Sequence, residues 1–172
     1  MANIISKEYA ADIWHEVVGY VYQTHRRQSM EIYDNSIELT NEGIEAIPGA
    51  TEENRKQGDK LTRIILAESK IRYVAEIFVR SGYSMSDAEI ANIINEAQSV
   101  NPFIPTISRS SIDRYLKDSR LNDFYSLDIY HEIMEARKNN LLAAKSKGGK
   151  AYAENNVPTY DEDGRFTGSV KK

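Results

Sequence analysis

The sequence contains no cysteine among its 172 residues. This excludes disulfide bonds, thiol nucleophiles and thiolate zinc sites, and it fits a protein of the reducing cytoplasm. No uninterrupted apolar run approaches the roughly 20 residues that a membrane-spanning helix needs, so we expect no membrane span. The N-terminal stretch "MANIISKEYAADIW" lacks the basic start and apolar core of a secretion signal, and we expect it to belong to the fold.

Catalytic and metal-binding motifs are also missing. The histidines His15, His25 and His131 have no partner at metal-ligand spacing, and Glu135 of "HEIME" stands where a zinc-protease helix needs its second histidine. "SKGGK" lacks the spacing and hydroxyl residue of a phosphate-binding loop, and "DEDG" places its glycine too early for a calcium loop. We therefore expect a non-enzymatic protein without a metal or cofactor.

Acidic and basic residues are unevenly distributed along the chain. The net charge is −4, but residues 1–68 carry 12 acidic and 7 basic residues, whereas the remaining 104 carry 14 and 15. Between Arg137 and Lys150 there are five basic residues and no acidic one. The negative total therefore does not exclude a nucleic-acid partner, because a basic face is available locally.

Hydrophobic periodicity predicts an all-α protein. With 41% hydrophobic and 28% charged residues, the chain has the composition of a globular protein with one core and appendages. We predict a helical N-terminal region, a tri-helical helix-turn-helix unit with a basic C-terminal helix, and a short tail. The corresponding segments are an acidic helix and loop at 1–58, a DNA-binding domain with basic extension at 59–150, and a tail at 151–172.

Caps and breakers give the predicted element bounds. A first helix over Lys7–Gln28 carries an apolar stripe of Tyr9, Ile13, Val17, Tyr20 and Val21. We expect a loop after it with a short helical turn near residues 40–46, then a long helix from Asp59 that ends at a left-handed Gly82. A later helix starts near Ser126 and stops at Gly148-Gly149. The last residues form a small hairpin around an Asp-Gly turn or a flexible end.

Three of these helices form the unit that carries functional information. They cover roughly residues 61–81, 86–99 and 108–118, and in a helix-turn-helix the last one lies in the major groove. The apolar face of this recognition helix can pack against the other two helices. It consists of Ile112, Tyr115 and Leu116. The connecting "NPFIPTI" is longer than the three or four residues of a tight turn.

The opposite face of the recognition helix supplies candidate DNA contacts. Ser108 is the expected cap, Arg109 can bond a guanine edge in two places, and Ser110 and Ser111 can serve a base or a phosphate. Arg114 and Lys117 are better placed for phosphates. The competing interpretation is an ordinary amphipathic helix, whose outer face is charged because it is solvated.

The basic block after this helix supplies the remaining candidates, Lys138, Lys145, Lys147 and Lys150. Neutralising several phosphates there predicts salt-dependent binding. The alternative is a solvated helix end whose cations complement the C-terminal dipole, which is the commoner role of such a run.

Residues 71–152 resemble the stage III sporulation regulator D family of small helix-turn-helix transcription factors of spore-forming Gram-positive bacteria. The similar features are "AEIANII", "ISRSSIDRYLKD" and the basic "ARKNNLLAAKSKGGKA". The resemblance implies a recognition helix carrying Ser110, Ser111 and Arg114, and a basic extension that contacts an adjacent groove. The acidic residues 1–68, the long turn and the last twenty residues have no counterpart in that family.

The sequence therefore predicts a bacterial or phage regulator of transcription that binds double-stranded DNA sequence-specifically. The alternative is a non-enzymatic interaction or packaging adaptor of a phage or mobile element built on the same core, which the acidic front half favours. The aromatic face of the N-terminal helix is expected to be buried within the domain, with burial in a second copy or a protein partner as the alternative.

Overall fold

The N-terminal helix forms with the predicted bounds. The computed structural model describes residues 5–171, without the side chains of 144–158, 166 and 169, and α1 spans Lys7–Gln28. Ser6 caps it by accepting a hydrogen bond from the backbone N–H of Tyr9 at 3.1 Å. The predicted stripe is partly wrong, because Tyr9 and Tyr20 are 40% and 57% exposed while Trp14 and Val18 are buried. Tyr9 and Tyr20 lie at the edge of the apolar face, where their hydroxyl groups can stay in water, and the Trp14 indole lies at its centre.

A short helix and a hairpin follow α1, where the sequence indicated a loop with a helical turn. Helix α2 spans Met30–Ser36, and strands β1 (Ile37–Leu39) and β2 (Ile44–Ala46) pair antiparallel. The helical turn predicted near residues 40–46 is wrong, because Thr40 and Gly43 exchange backbone hydrogen bonds across a hairpin turn. Gly43 has φ +142°, a value that L-residues rarely adopt.

Helix α3 spans Glu52–Arg80 and begins earlier than predicted. Thr51 caps it by accepting from the backbone N–H of Asn54 at 3.2 Å, so the segment boundary predicted after residue 58 lies inside the helix. Gly58 packs so closely on the preceding elements that an added Cβ would lie 2.9 Å from Cγ2 of Ile37. The acidic N-terminal segment is therefore packed against α3 rather than forming a separate region.

Polar contacts join α1 to α3 in addition to their apolar packing. The buried Tyr73 hydroxyl donates to the backbone carbonyl of Ala10 at 2.8 Å, and the Tyr73 ring meets the Trp14 indole edge-on at 5.1 Å. Arg80 bonds Glu16 of α1 and Glu76 of its own helix, both at 2.8 Å. Of the aromatic residues of α1, Trp14 and Tyr22 are buried inside the domain, as the sequence favoured, whereas Tyr9 and Tyr20 are exposed.

Four further helices complete the order: α4 (Asp87–Ala97), α5 (Arg109–Leu116), α6 (Leu121–Phe124) and α7 (Leu127–Asn155). Helix α4 packs against α1 and α5, and α5 also packs against α3. Gly82 adopts the predicted left-handed conformation after α3, with φ +69°. The predicted all-α class is confirmed, with two small hairpins added.

The chain divides into two compact units, Met1–Ile133 and Met134–Lys172, with the boundary inside α7. This differs from the three predicted segments. The predicted stop at Gly148-Gly149 is wrong, since α7 continues to Asn155; glycine lowers helix stability by roughly 1 kcal/mol without forbidding the conformation. In the second unit, β3 (Asn156–Tyr160) and β4 (Phe166–Lys171) form an antiparallel hairpin, which resolves the two alternatives for the tail.

None of the helices within residues 5–171 combines the length and apolar character needed to span a membrane.

Candidate nucleic-acid interface

Helix α4 is fixed at its start by a reciprocal cap. The Ser86 hydroxyl accepts from the backbone N–H of Glu89, and the Glu89 carboxylate accepts from the backbone N–H of Ser86, both at 3.2 Å. This capping box satisfies two donors that a helix start otherwise leaves unpaired. The apolar side of α4, formed by Ile90, Ile93, Ile94 and Ala97, is buried. Helix α4 is therefore a rigid support for the helix that follows.

The long turn between α4 and α5 is anchored to α4 by a side chain. The Gln98 amide donates to the backbone carbonyl of Ile104 at 3.1 Å and to the Thr106 hydroxyl at 3.0 Å. Ile104 and Ile107 are buried, 2% and 6% exposed. The two prolines thus belong to an ordered connection, since Ile104 and Ile107 enter the core and the Gln98 side chain bonds its backbone.

This turn places the predicted DNA-facing end of α5 in solvent. Ile112 and Leu116 are fully buried, whereas Arg109 and Ser110, one turn of helix earlier, are exposed. Tyr115, the third residue of the predicted apolar face, is half-buried. The amphipathic character expected from the sequence is therefore present, and α5 has its apolar side on α3 and α4 with its first turn uncovered.

Three serine hydroxyls meet at the start of α5. Ser108 Oγ accepts from the backbone N–H of Ser111 at 3.3 Å, and it lies 2.9 Å from Ser111 Oγ and 3.1 Å from Ser110 Oγ. Ser108 thus acts as the predicted cap. Each hydroxyl can rotate to donate or accept, so this group can exchange an internal hydrogen bond for one to an external acceptor.

The three cations of α5 differ in their surroundings. The Arg109 guanidinium makes no ion pair or hydrogen bond with any residue that the structure describes. The Arg114 guanidinium lies 5.3 Å from the centre of the Tyr115 ring, and Lys117 Nζ is 3.0 Å from Asp113 Oδ2. An exposed pair of this kind contributes about 0–1 kcal/mol, so Lys117 can exchange its partner for a phosphate at small cost.

An acidic residue beside this surface is already paired. Asp118 accepts from Arg120 through both carboxylate oxygens at 3.1 Å, and this hydrogen bonding to Arg120 lowers the pKa of Asp118. Four basic and two acidic residues lie between Ser108 and Arg120, a net charge of +2. The region is therefore locally positive in an acidic protein. Sequence reasoning did not assign Arg120, although its position just beyond "RYLKD" was a sufficient signal.

The predicted basic extension lies on α7 in the second unit. Lys138 is exposed, and Lys145, Lys147 and Lys150 lie within the helix backbone while their side chains are outside the described residues. Arg137, in the same block, is half-buried. These lysines share one helix with Lys138, and their contact with DNA stays a prediction.

The histidines do not form a metal site in the described part of the chain. His25 Nε2 lies 2.7 Å from Glu68 Oε2 and joins α1 to α3, while His15 and His131 are exposed. No group of three or more histidine, aspartate or glutamate side chains with metal-binding geometry occurs among the described residues. Near the start of α7, burial and a hydrogen bond to Glu132 raise the pKa of Tyr83 to about 12.

Comparison of the chain with protein-family models, curated proteins and solved structures yields no match. The resemblance to the stage III sporulation regulator D family rests on the residues of the sequence alone.

Proposed function

We propose that this protein is a sequence-specific DNA-binding regulator that inserts the first turn of α5 into the major groove. The observation that carries the proposal is the exposure of Arg109 and Ser110 on a helix whose Ile112 and Leu116 are fully buried. A recognition helix needs this combination, since its base-reading end must be uncovered while its other side is held by two helices.

The contacts of each basic residue of α5 indicate whether it binds a base or a phosphate. Arg109 has no described partner and is the residue for base reading, with its two-pronged guanidinium on the N7 and O6 acceptors of guanine. Ser110 and Ser111 serve a neighbouring base edge or phosphate. Arg114 and Lys117, one and two turns further along α5, neutralise the backbone phosphates and set the register.

The basic block of α7 supplies the electrostatic part of the proposal. Lys138, Lys145, Lys147 and Lys150 act there as phosphate contacts, as the family resemblance implies. With Arg114 and Lys117 they make six candidate contacts, and at about 0.9 per neutralised phosphate the expected slope of log K against log salt is about −5.

A second candidate is a non-enzymatic interaction or packaging adaptor of a phage or mobile element. The observation that favours it is the charge of residues 1–68, which carry 12 acidic and 7 basic residues. Residues 52–68 belong to α3, and α1 and α2 pack against that helix. Such an acidic surface suits a protein partner with a basic face better than it suits DNA.

A salt-titrated binding measurement on mixed-sequence duplex DNA tests the proposal. Fluorescence anisotropy between low and moderate salt is expected to give binding with the slope above, and Lys145→Ala with Lys147→Ala is expected to reduce that slope by about 2. Lys56→Ala is the matched control, because Lys56 is an exposed cation on α3 paired only with Glu52 at 3.8 Å. No detectable binding at low salt would refute the regulator and favour the adaptor.

A further inference from the structure

An apolar pocket lies beside the turn that presents α5. It has a volume of about 130 Å³. Helix α1 contributes Trp14 and Val18 to its wall, α3 contributes Thr62 and Leu66, and the turn between α4 and α5 contributes Phe103. The hairpin closes it with Ile44. All of these residues belong to the first unit, and none has a role in the proposed DNA contacts.

We propose that this pocket binds a small monocyclic aromatic molecule, or an aliphatic one of similar size, that carries one hydrogen-bond acceptor. The volume sets the size limit, because a protein cavity of about 150 Å³ holds benzene. A helix or an extended peptide needs a longer groove, so the pocket fits a ring of about six non-hydrogen atoms, with its polar substituent at the open side of the pocket.

The polar part of the ligand follows from two unpaired groups. The indole N–H of Trp14 makes no hydrogen bond with any described residue, and the hydroxyl of Thr62 makes none either, so both groups can bind an acceptor inside the pocket. Since both side chains line the pocket, a ligand carrying an oxygen acceptor could satisfy one of them while its ring fills the apolar space.

The apolar part of the ligand is inferred from the exposure of the Phe103 ring. This ring is 59% exposed although it lines the pocket, and its Cδ1 lies 3.9 Å from the position that a Cβ on Gly43 would occupy. A ring bound between Phe103 and Trp14 would cover the phenyl group on one side and complete the contacts of the indole on the other. Such burial of apolar surface favours binding.

Trp14 also provides the readout, because it is the only tryptophan of the chain. Benzyl alcohol is the probe, and the intrinsic fluorescence of the full-length protein is followed during the titration. We expect a saturable change with one binding site, and we expect toluene, which lacks the oxygen, to bind more weakly than benzyl alcohol.

Two substitutions on α3 distinguish pocket binding from surface adsorption. Leu66→Phe fills the pocket and is expected to weaken benzyl alcohol binding by about tenfold or more, which corresponds to about 1.4 kcal/mol. Ile64→Phe makes a similar change at a residue that is 37% exposed and does not line the pocket, and it is expected to leave the affinity unchanged.

Thr62→Leu replaces Leu66→Phe if circular dichroism shows that the latter does not fold, and the same weakening is expected. A fluorescence change that does not saturate, or an affinity that neither filling variant lowers, would overturn the proposal.

Regulation of DNA binding by this ligand rests on the proposed function and is measured separately. Because Phe103 belongs to the turn that leads into α5, we expect benzyl alcohol to change the DNA affinity of the wild type but not of Leu66→Phe. An unchanged DNA affinity would refute the coupling. Absence of DNA binding would refute the proposed function, and the fluorescence titration, which contains no DNA, would still decide whether the pocket binds its ligand.

Discussion

Replacing Gly58 by alanine tests whether the acidic N-terminal segment is integral to the fold. Alanine is favoured over glycine inside a helix by about 1 kcal/mol, so an uncrowded site would be stabilised. At residue 58 the new Cβ would lie 2.9 Å from Ile37 Cγ2 and 3.3 Å from both Cβ and the backbone carbonyl oxygen of Ser36. Carbon atoms pack best at about 3.5–4.0 Å, and the carbonyl cannot rotate away.

Overpacking of this kind costs about 1–3 kcal/mol, so after the gain in helix propensity the expected loss for Gly58→Ala is about 1 kcal/mol in the free energy of unfolding. Gly19→Ala is the matched control. Gly19 lies inside α1, and its added Cβ would meet only Leu39 Cδ2 at an ordinary 3.8 Å. This variant is expected to gain up to about 1 kcal/mol.

Urea unfolding followed by far-ultraviolet circular dichroism measures both variants against the wild type. The two urea midpoints are expected to shift in opposite directions from that of the wild type, to lower urea for Gly58→Ala and to higher urea for Gly19→Ala. Equal stabilisation by both substitutions would refute the close packing of α2 and β1 on α3.

Three further predictions concern stability. Ser86→Ala removes a capping box and is expected to cost about 1 kcal/mol in urea unfolding, whereas Ser29→Ala, at a helix start without a side-chain cap, is expected to cost only a few tenths; equal losses would contradict the cap assignment. Arg80→Met removes the ion pairs with the exposed Glu16 and the mostly buried Glu76 and is expected to cost about 1 kcal/mol in the same unfolding assay, and an unchanged midpoint would contradict a stabilising role for these pairs. Burial raises the pKa of Tyr33 to about 12 from its ordinary 10, so the folded state holds this proton more tightly and stability falls as pH rises from 10 through 12. Tyr33→Phe is expected to flatten that fall in unfolding measured from pH 9 to 11, and an unaltered pH profile would contradict it.

The sequence predicted the elements whose bounds are encoded locally. Ser6, Ser86 and Ser108 each accept a backbone N–H three residues later, so α1, α4 and α5 begin within a residue or two of their predicted starts. Gly82 ended α3 as expected, because the left-handed conformation favours glycine.

The missed elements depend on contacts that local patterns do not encode. Strands of three residues are too short for a visible alternation, and the hairpin that replaced the predicted helical turn is held by its pairing and by Gly43. The early start of α3 was missed because a loop was expected up to Asp59, whereas Gly58 lies inside the helix, where its lack of a side chain allows the close approach of Ile37. Helix α6, with four residues, carries no periodicity at all.

The exposure of the candidate site could be predicted from the sequence, but the contacts that hold the turn before α5 could not. The spacing of Ile112 and Leu116 was enough to place Ser110 on the outer face of α5. Arg109 lies three and seven residues before them on the same side of the helix, and it is exposed because it is the first residue of α5. The Asp113–Lys117 pair could also have been read from its four-residue spacing. The anchoring of the long turn by Gln98 could not, since it depends on where Ile104 and Thr106 return in space.

Selection of bound sites from a random duplex DNA pool tests the central claim most directly, with wild type and Arg109→Ala compared in parallel. The account predicts that the wild type enriches a defined motif containing a guanine, and that Arg109→Ala loses the preference at that guanine, with an affinity loss of about 1–3 kcal/mol on the selected site. A pool that stays unenriched with the wild type, or an Arg109→Ala variant that selects the same motif, would contradict it.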